Sequence, residues 1–145
     1  MKDLHSSLNV VAAIGAAALS ADATSAAIDL QGYNSAEIVI SVGVGGITFT
    51  TNNKVEFVVT HSDDDATYDP VADGDILGAT VGAGGIVKAL VAAHAAAASY
   101  RVGYKGGRRY LKVMADFSGT HATPTPIAVN VLRGHGSDNP QADQA

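Results

Sequence analysis

Cysteine is absent from the sequence, which excludes disulfide frameworks, thiolate zinc sites and cysteine nucleophiles. Stability must therefore come from packing and association. Tryptophan is also absent and phenylalanine occurs three times, so large aromatic anchors are scarce. Charge is low as well: Asp, Glu, Lys and Arg make up 16% of the residues, fewer than an ordinary freely soluble monomer carries. No stretch reaches the roughly eighteen uninterrupted apolar residues that a membrane-spanning helix needs, so no membrane partner is expected. Basic residues are the scarcer charge, nine against fourteen acidic ones, for a formal net charge of -5. That balance argues against an electrostatic grip on DNA or RNA, which rests on Lys and Arg neutralising phosphates.

What is present is apolar and small. Hydrophobic residues reach 47%, carried by Ala, Val and Ile beside 16 Gly, which suits thin, closely packed sheets and rules out a disordered chain. At 145 residues the chain is the size of one domain and can bury roughly two-thirds of the surface exposed when unfolded. With so little charge, part of the finished surface is expected to be covered by partners. The run Leu8–Leu19, followed by Ala21-Asp22-Ala23, has the outline of a secretion signal. Asp3 offsets Lys2, and Asn9 and Gly15 interrupt the run, so the expectation is a soluble, unprocessed protein.

Four segments alternate apolar and other residues with period two, the pattern of a strand with one buried face. Residues 37–44 place Ile38, Ile40, Val42 and Val44 together; residues 55–61 do so with Val55, Phe57 and Val59. Residues 109–117 align Leu111, Val113, Ala115 and Phe117, and residues 127–133 align Ile127, Val129 and Val131. Turn signals separate such runs at Gly45-Gly46, Asn52-Asn53, Gly74, Gly84-Gly85 and Gly106-Gly107. Short strands with frequent turns predict an all-β fold, an antiparallel, jelly-roll-like sandwich with at most short helical turns. Tyr100, Val102 and Tyr104 share one face of a run that, with residues 109–117, reads as a hairpin closed around Gly106-Gly107.

Residues 10–19 and 87–98 are Ala-rich enough to be helical by propensity, but neither has a convincing cap. Residues 87–91 read equally well as a strand leading into a small-residue loop. The expected organisation is one sandwich domain over residues 1–133, with an N-terminal arm over about the first 25 residues, and a flexible polar tail over 134–145. Exposed sheet edges would be covered by the N-terminal segment or by another copy.

Five consecutive residues, His61-Ser62-Asp63-Asp64-Asp65, supply a base, a hydroxyl and carboxylates. Triads assemble in space from separate segments, and no Gly-x-Ser-x-Gly turn is present, so the reading adopted is a strand end followed by an acidic loop. Asp63, Asp64, Asp65, Asp69, Asp73 and Asp75 crowd the stretch 63–75, yet their spacing does not follow a calcium loop. His5, His61, His94, His121 and His135 show no metal-ligand spacing, and the glycine pairs complete no phosphate-binding loop. No catalytic residue, metal or cofactor is expected. Arg101, Lys105, Arg108 and Arg109 form a basic group within an acidic chain and read as a docking patch for an acidic protein surface. Against the acidic 63–75 loop, that patch also permits contacts between copies.

An ordered series of segments spans most of the chain: Met1-Lys2-Asp3-Leu4 with Ser6-Ser7, Leu30-Gln31-Gly32-Tyr33-Asn34-Ser35-Ala36, Val58-Val59-Thr60-His61-Ser62-Asp63-Asp64, and Tyr68 with Pro70-Val71 before Asp73. It closes with Tyr100-Arg101-Val102-Gly103-Tyr104-Lys105-Gly106-Gly107-Arg108-Arg109-Tyr110-Leu111-Lys112-Val113 and Val131-Leu132-Arg133-Gly134. In this order the chain resembles small head-decoration, or cement, proteins of tailed bacteriophages, departing chiefly in the Ala-rich stretch 92–98. The resemblance implies a virion protein made in the host cytoplasm, bound outside the major capsid protein lattice and associating with its own copies as a trimer or dimer. It carries no catalytic motif across. The alternatives are a carbohydrate-binding or host-adhesion module, a tail-associated structural protein and, last, a hydrolase using His61.

Overall fold

A computed structural model describes residues 3–145; Met1 and Lys2, which belong to the expected arm and to the resembling series, lie outside the described residues. Eleven strands form: β1 (Leu8–Leu19), β2 (Ala23–Thr24), β3 (Ile28–Asp29), β4 (Tyr33–Val42), β5 (Lys54–Ser62), β6 (Asp69–Pro70), β7 (Ile76–Leu77), β8 (Ile86–Leu90), β9 (Ala98–Tyr104), β10 (Tyr110–Ser118) and β11 (Thr125–Gly136). Helix is limited to single 3-10 turns at His5–Ser7 and Asp73–Asp75. Among the described residues no helix is long and apolar enough to cross a membrane.

The first sheet has the order β1-β11-β4-β9-β7 and the second β2-β10-β5-β6, with β3 also on β10 and β8 also on β5. All pairings are antiparallel. Taking β2 with β3, and β6 with β8, as interrupted strands along one neighbour each leaves five strands in the first sheet and four in the second. The chain is therefore an all-β antiparallel sandwich.

The alternating runs fill its core because one face of each sheet has only the other sheet to meet. Ile38 and Ile40 of β4 and Val129 and Val131 of β11 are fully buried, as are Val55, Phe57 and Val59 of β5 and Leu111, Val113 and Ala115 of β10. Each large apolar side chain so buried contributes about 1.5–3 kcal/mol. Phe49, from the loop after β4, closes one end of the core.

Two local expectations, at Val44 and at the hairpin, are corrected. Val44 is 65% exposed, because the chain leaves the sheet after Val42 and Gly43 bonds its N–H to the Pro126 carbonyl at 2.9 Å. Phe117 does face the core, but at its margin: it is half-buried, packed against the core cluster and edge-on to His121, with ring centres 4.8 Å apart. The expected hairpin does not form: β9 lies in the first sheet against β4, β10 in the second against β5, and residues 105–109 cross between the sheets. Both strands turn an apolar face inward, which local alternation cannot distinguish from neighbours in one sheet.

Neither Ala-rich run is helical. Residues 10–19 lie in edge strand β1, and residues 86–90 form β8 ahead of a loop over 91–97. The sheet also continues past residue 133, because β11 keeps its pairing with β4 as far as Gly136 opposite Tyr33. Residues 137–145 then fold back beside the start of β1.

Candidate functional site

Of the four basic residues singled out in the sequence, Lys105, Arg108 and Arg109 lie on the crossing loop 105–109, whereas Arg101 lies within β9, opposite Val39. Tyr104, the last residue of β9, points inward and its hydroxyl lies 3.0 Å from Nδ1 of buried His61 on β5. Burial, and then the neighbouring Arg108 charge, pushes the His61 pKa down, so the ring is neutral at pH 7. Its Nδ1 can then accept the Tyr104 proton while the hydroxyl accepts the Arg108 N–H at 3.2 Å. Burial raises the Tyr104 pKa in turn. A Cβ on Gly106 would sit 2.5 Å from the Tyr104 hydroxyl, so only glycine lets the loop turn this closely over the ring.

Three of the four cations meet carboxylates within the same chain. Arg108 donates to Asp69 at 2.6 Å and lies 3.7 Å from Asp63. Arg109 makes a two-pronged pair with Asp29, at 2.9 and 2.7 Å, and stacks over Tyr110. Arg101 is 3.6 Å from Glu37. Lys105 is exposed and makes no ion pair among the described residues. The basic group and the acidic loop thus meet inside one copy, through Arg108, Asp63 and Asp69.

The other acidic side chains are also engaged locally. Asp64 accepts from the backbone N–H groups of Thr67 and Ala66, both at 2.9 Å, and from the Ser62 hydroxyl at 2.8 Å, which holds its pKa down at about 2. Asp65 accepts the Tyr68 hydroxyl, Asp73 the Val81 N–H and Asp75 the Ala72 N–H. Among the described residues no three metal-ligating side chains converge. Nor do Ser62 and His61 meet: the Ser62 hydroxyl donates to Asp64, whereas His61 faces Tyr104. His94 and His121 flank Phe49 at the end of the sandwich, with ring centres 6.5 and 6.3 Å away.

The Arg109 pair is the most directly testable of these contacts. The Arg109 guanidinium holds the Asp29 pKa down at about 2, so the pair stabilises the fold above the ordinary carboxylate range and loses that effect as pH falls toward 2. Both side chains are 42% exposed, so solvent screening keeps the gain small. Arg109→Ala is expected to lower stability slightly at pH 7, and urea titrations should show the difference shrinking on the acid side.

Among the described residues, two surfaces adjoin this basic group. One is a groove of about 690 Å³ lined by Tyr33, Glu37, Leu77, Lys105, Arg108 and neighbours. The other is the outward face of the first sheet, where Val10, Leu132 and Glu37 form one row, Ala12, Asn130, Val39 and Arg101 the next, and Ala128, Ser41 and Ser99 a third. Its only charges in these rows are the mutually paired Glu37 and Arg101. The outward face of the second sheet carries Lys54, Glu56, Lys112 and Asp116, with Glu56 directly opposite Asp116. Burial, then the charges of Asp22 and Glu56, raises the Asp116 pKa.

Sequence reasoning missed the partners Asp29, Tyr104 and Glu37, which lie 80, 43 and 64 residues from Arg109, His61 and Arg101. The sole advance signal was an excess of acidic residues able to pair with few cations. A scan of protein-family models finds none that matches the chain, and a search of curated proteins finds no match.

Proposed function

We propose that this protein is a structural subunit of a tailed-phage virion, a head-decoration protein that binds the outside of the major capsid lattice, and that it works by contact and not by catalysis. The observation that carries this reading is the outward face of the first sheet, three cross-strand rows with a single internally neutralised ion pair. Such a face loses little by desolvation when covered, and many copies on a lattice add weak contacts through multivalency. The ordered resemblance to decoration proteins supports the same reading. Lys105 remains available at the margin to meet an acidic surface.

Purified protein mixed with capsids that lack it should pellet with them. Ala128→Asp, which puts an unpaired charge in the third row, opposite Ser41, should abolish co-sedimentation while leaving the circular dichroism spectrum unchanged. Capsids that pellet without bound protein would defeat the reading.

The open groove favours a second reading, an adhesion module that binds carbohydrate. Tyr33 supplies an aromatic face, but the Arg133 guanidinium already lies 4.5 Å from its ring centre, which leaves less surface for a sugar. Strong hits on a glycan array would favour that reading over the first.

A further inference from the structure

Among the described residues strand β1 pairs on one side, with β11, and its other side is an edge of the five-stranded sheet. A free edge presents backbone donors and acceptors to any strand able to pair with them. At Val10 the chain's own tail occupies that edge. The Val10 N–H donates to Gln144 Oε1 at 2.8 Å, and Gln144 Nε2 donates to the Val10 carbonyl at 2.8 Å. These are the two bonds that a residue exchanges with its opposite number in a hydrogen-bonded antiparallel pair. The side-chain amide of Gln144 stands where the peptide group of an added strand would stand.

We propose that residues 8–12 of β1 form a strand-addition interface for a second copy of this chain, antiparallel about a two-fold axis at Val10, and that residues 137–145 are a strap holding the place. Leu8, Asn9, Val10, Val11 and Ala12 carry no charge. A two-fold axis at Val10 sets Leu8 opposite Ala12 and Asn9 opposite Val11, so no like charges meet across the new pair. Beyond Ala12 the register with β11 shifts twice, between Ala12 and Ile14 and between Ile14 and Ala17, which confines a regular ladder to this run. Leu4 and Val10, 65% and 44% exposed, line a shallow hollow beside the edge and would lose contact with water on pairing.

The strap is held by surface contacts that a strand can displace. His5 meets Asp143 at 3.0 Å with both side chains largely exposed, and the Gln141 N–H donates to the Ser6 carbonyl at 2.9 Å. None of residues 137–145 is buried. The start of the strap is also tied where the Tyr33 hydroxyl donates to Gln141 Oε1 at 2.7 Å and the Ser137 N–H to the Gly32 carbonyl at 2.8 Å, so pairing at Val10 need exchange only the two Gln144 bonds for an equivalent set while adding apolar contact. The result joins two five-stranded sheets into one and requires nothing of a capsid, so it stands or falls separately from the virion reading.

Sedimentation velocity on the full chain tests this. Gln144→Ala is expected to lower the dimer dissociation constant about a hundred-fold, ten-fold for each copy, since each loses two exposed hydrogen bonds that compete with pairing. Adding Val10→Pro removes the outward N–H from an edge position that tolerates proline, and should return the protein to monomer. A Q144A chain that sediments like its parent at every concentration would overturn the proposal, as would a dimer that survives Val10→Pro. If Q144A stays monomeric and its Val10 amide is protected from exchange only by added capsid protein, the edge belongs to that partner and self-pairing is wrong.

Discussion

Phe57→Ala is expected to lower the free energy of unfolding by about 3–5 kcal/mol, a large share of the 5–15 kcal/mol that holds a domain of this size together. Phe57 lies mid-strand in β5, has no exposed surface, and faces the first sheet between Val55 and Val59, themselves fully buried. Its cross-strand neighbour on β10 is Ala115, also fully buried, so no bulky side chain stands directly opposite to swing into the space. Paired strands on both sides of β5 hold the backbone in place, and the cavity would persist. Urea denaturation should show the midpoint falling while the slope stays constant. A loss below about 1 kcal/mol would mean that the two sheets do not pack face to face here.

Gly85→Ala is expected to destabilise by about 2–4 kcal/mol, through backbone strain and not through lost burial. Gly85 has φ +87, a left-handed conformation that side chains disfavour, and an added Cβ would come within 2.5 Å of the Val59 carbonyl oxygen and 3.2 Å of Pro70 Cβ. Neither neighbour can retreat. Val59 belongs to β5, and its N–H donates to the Gly85 carbonyl at 2.9 Å, while Pro70 is held in β6 against Thr60. The substitution must therefore push β8 away from β5 at the register shift beside Val58. Thermal denaturation of this variant beside Gly84→Ala separates the two causes. Gly84 shares the positive φ but has open space around it, so Gly84→Ala should fall short of the Gly85→Ala effect.

The core was legible in the sequence because burial on one face of a strand writes itself as alternation. Ile38 and Ile40, Val55 to Val59, Leu111 to Ala115 and Ile127 to Val131 all follow that pattern. Partnership between sheets leaves no such trace. Val102 and Leu111 each look inward from a different sheet, and the alternation that places both in the core says nothing about which neighbour either strand has, so a crossing loop reads as a hairpin. Strand β1 was hidden for a different reason: an edge strand of small residues, exposed over Gly15 to Ala18, has no strong apolar period and mimics a helix former.

The basic group shows the same limit for function. Four cations within nine residues stand out in the sequence, but the carboxylates that neutralise three of them arrive from β3, β4 and the turn at β6. Ion pairs across strands depend on topology, which local patterning does not carry. Conversely, the outward rows of β1, β4, β9 and β11, with Glu37 and Arg101 as their one charged pair, come from four distant segments that carry no signal singly.

The return of residues 137–145 to the beginning of β1 brings the two extremities of the described chain to a single corner, with His5 and Asp143 touching. Passenger peptides grafted beside His5 and beside Asp143 would emerge from that one corner. A short linker could likewise close the backbone into a ring, and fresh ends opened in the alanine-rich loop between β8 and β9 would leave every strand of both sheets unbroken.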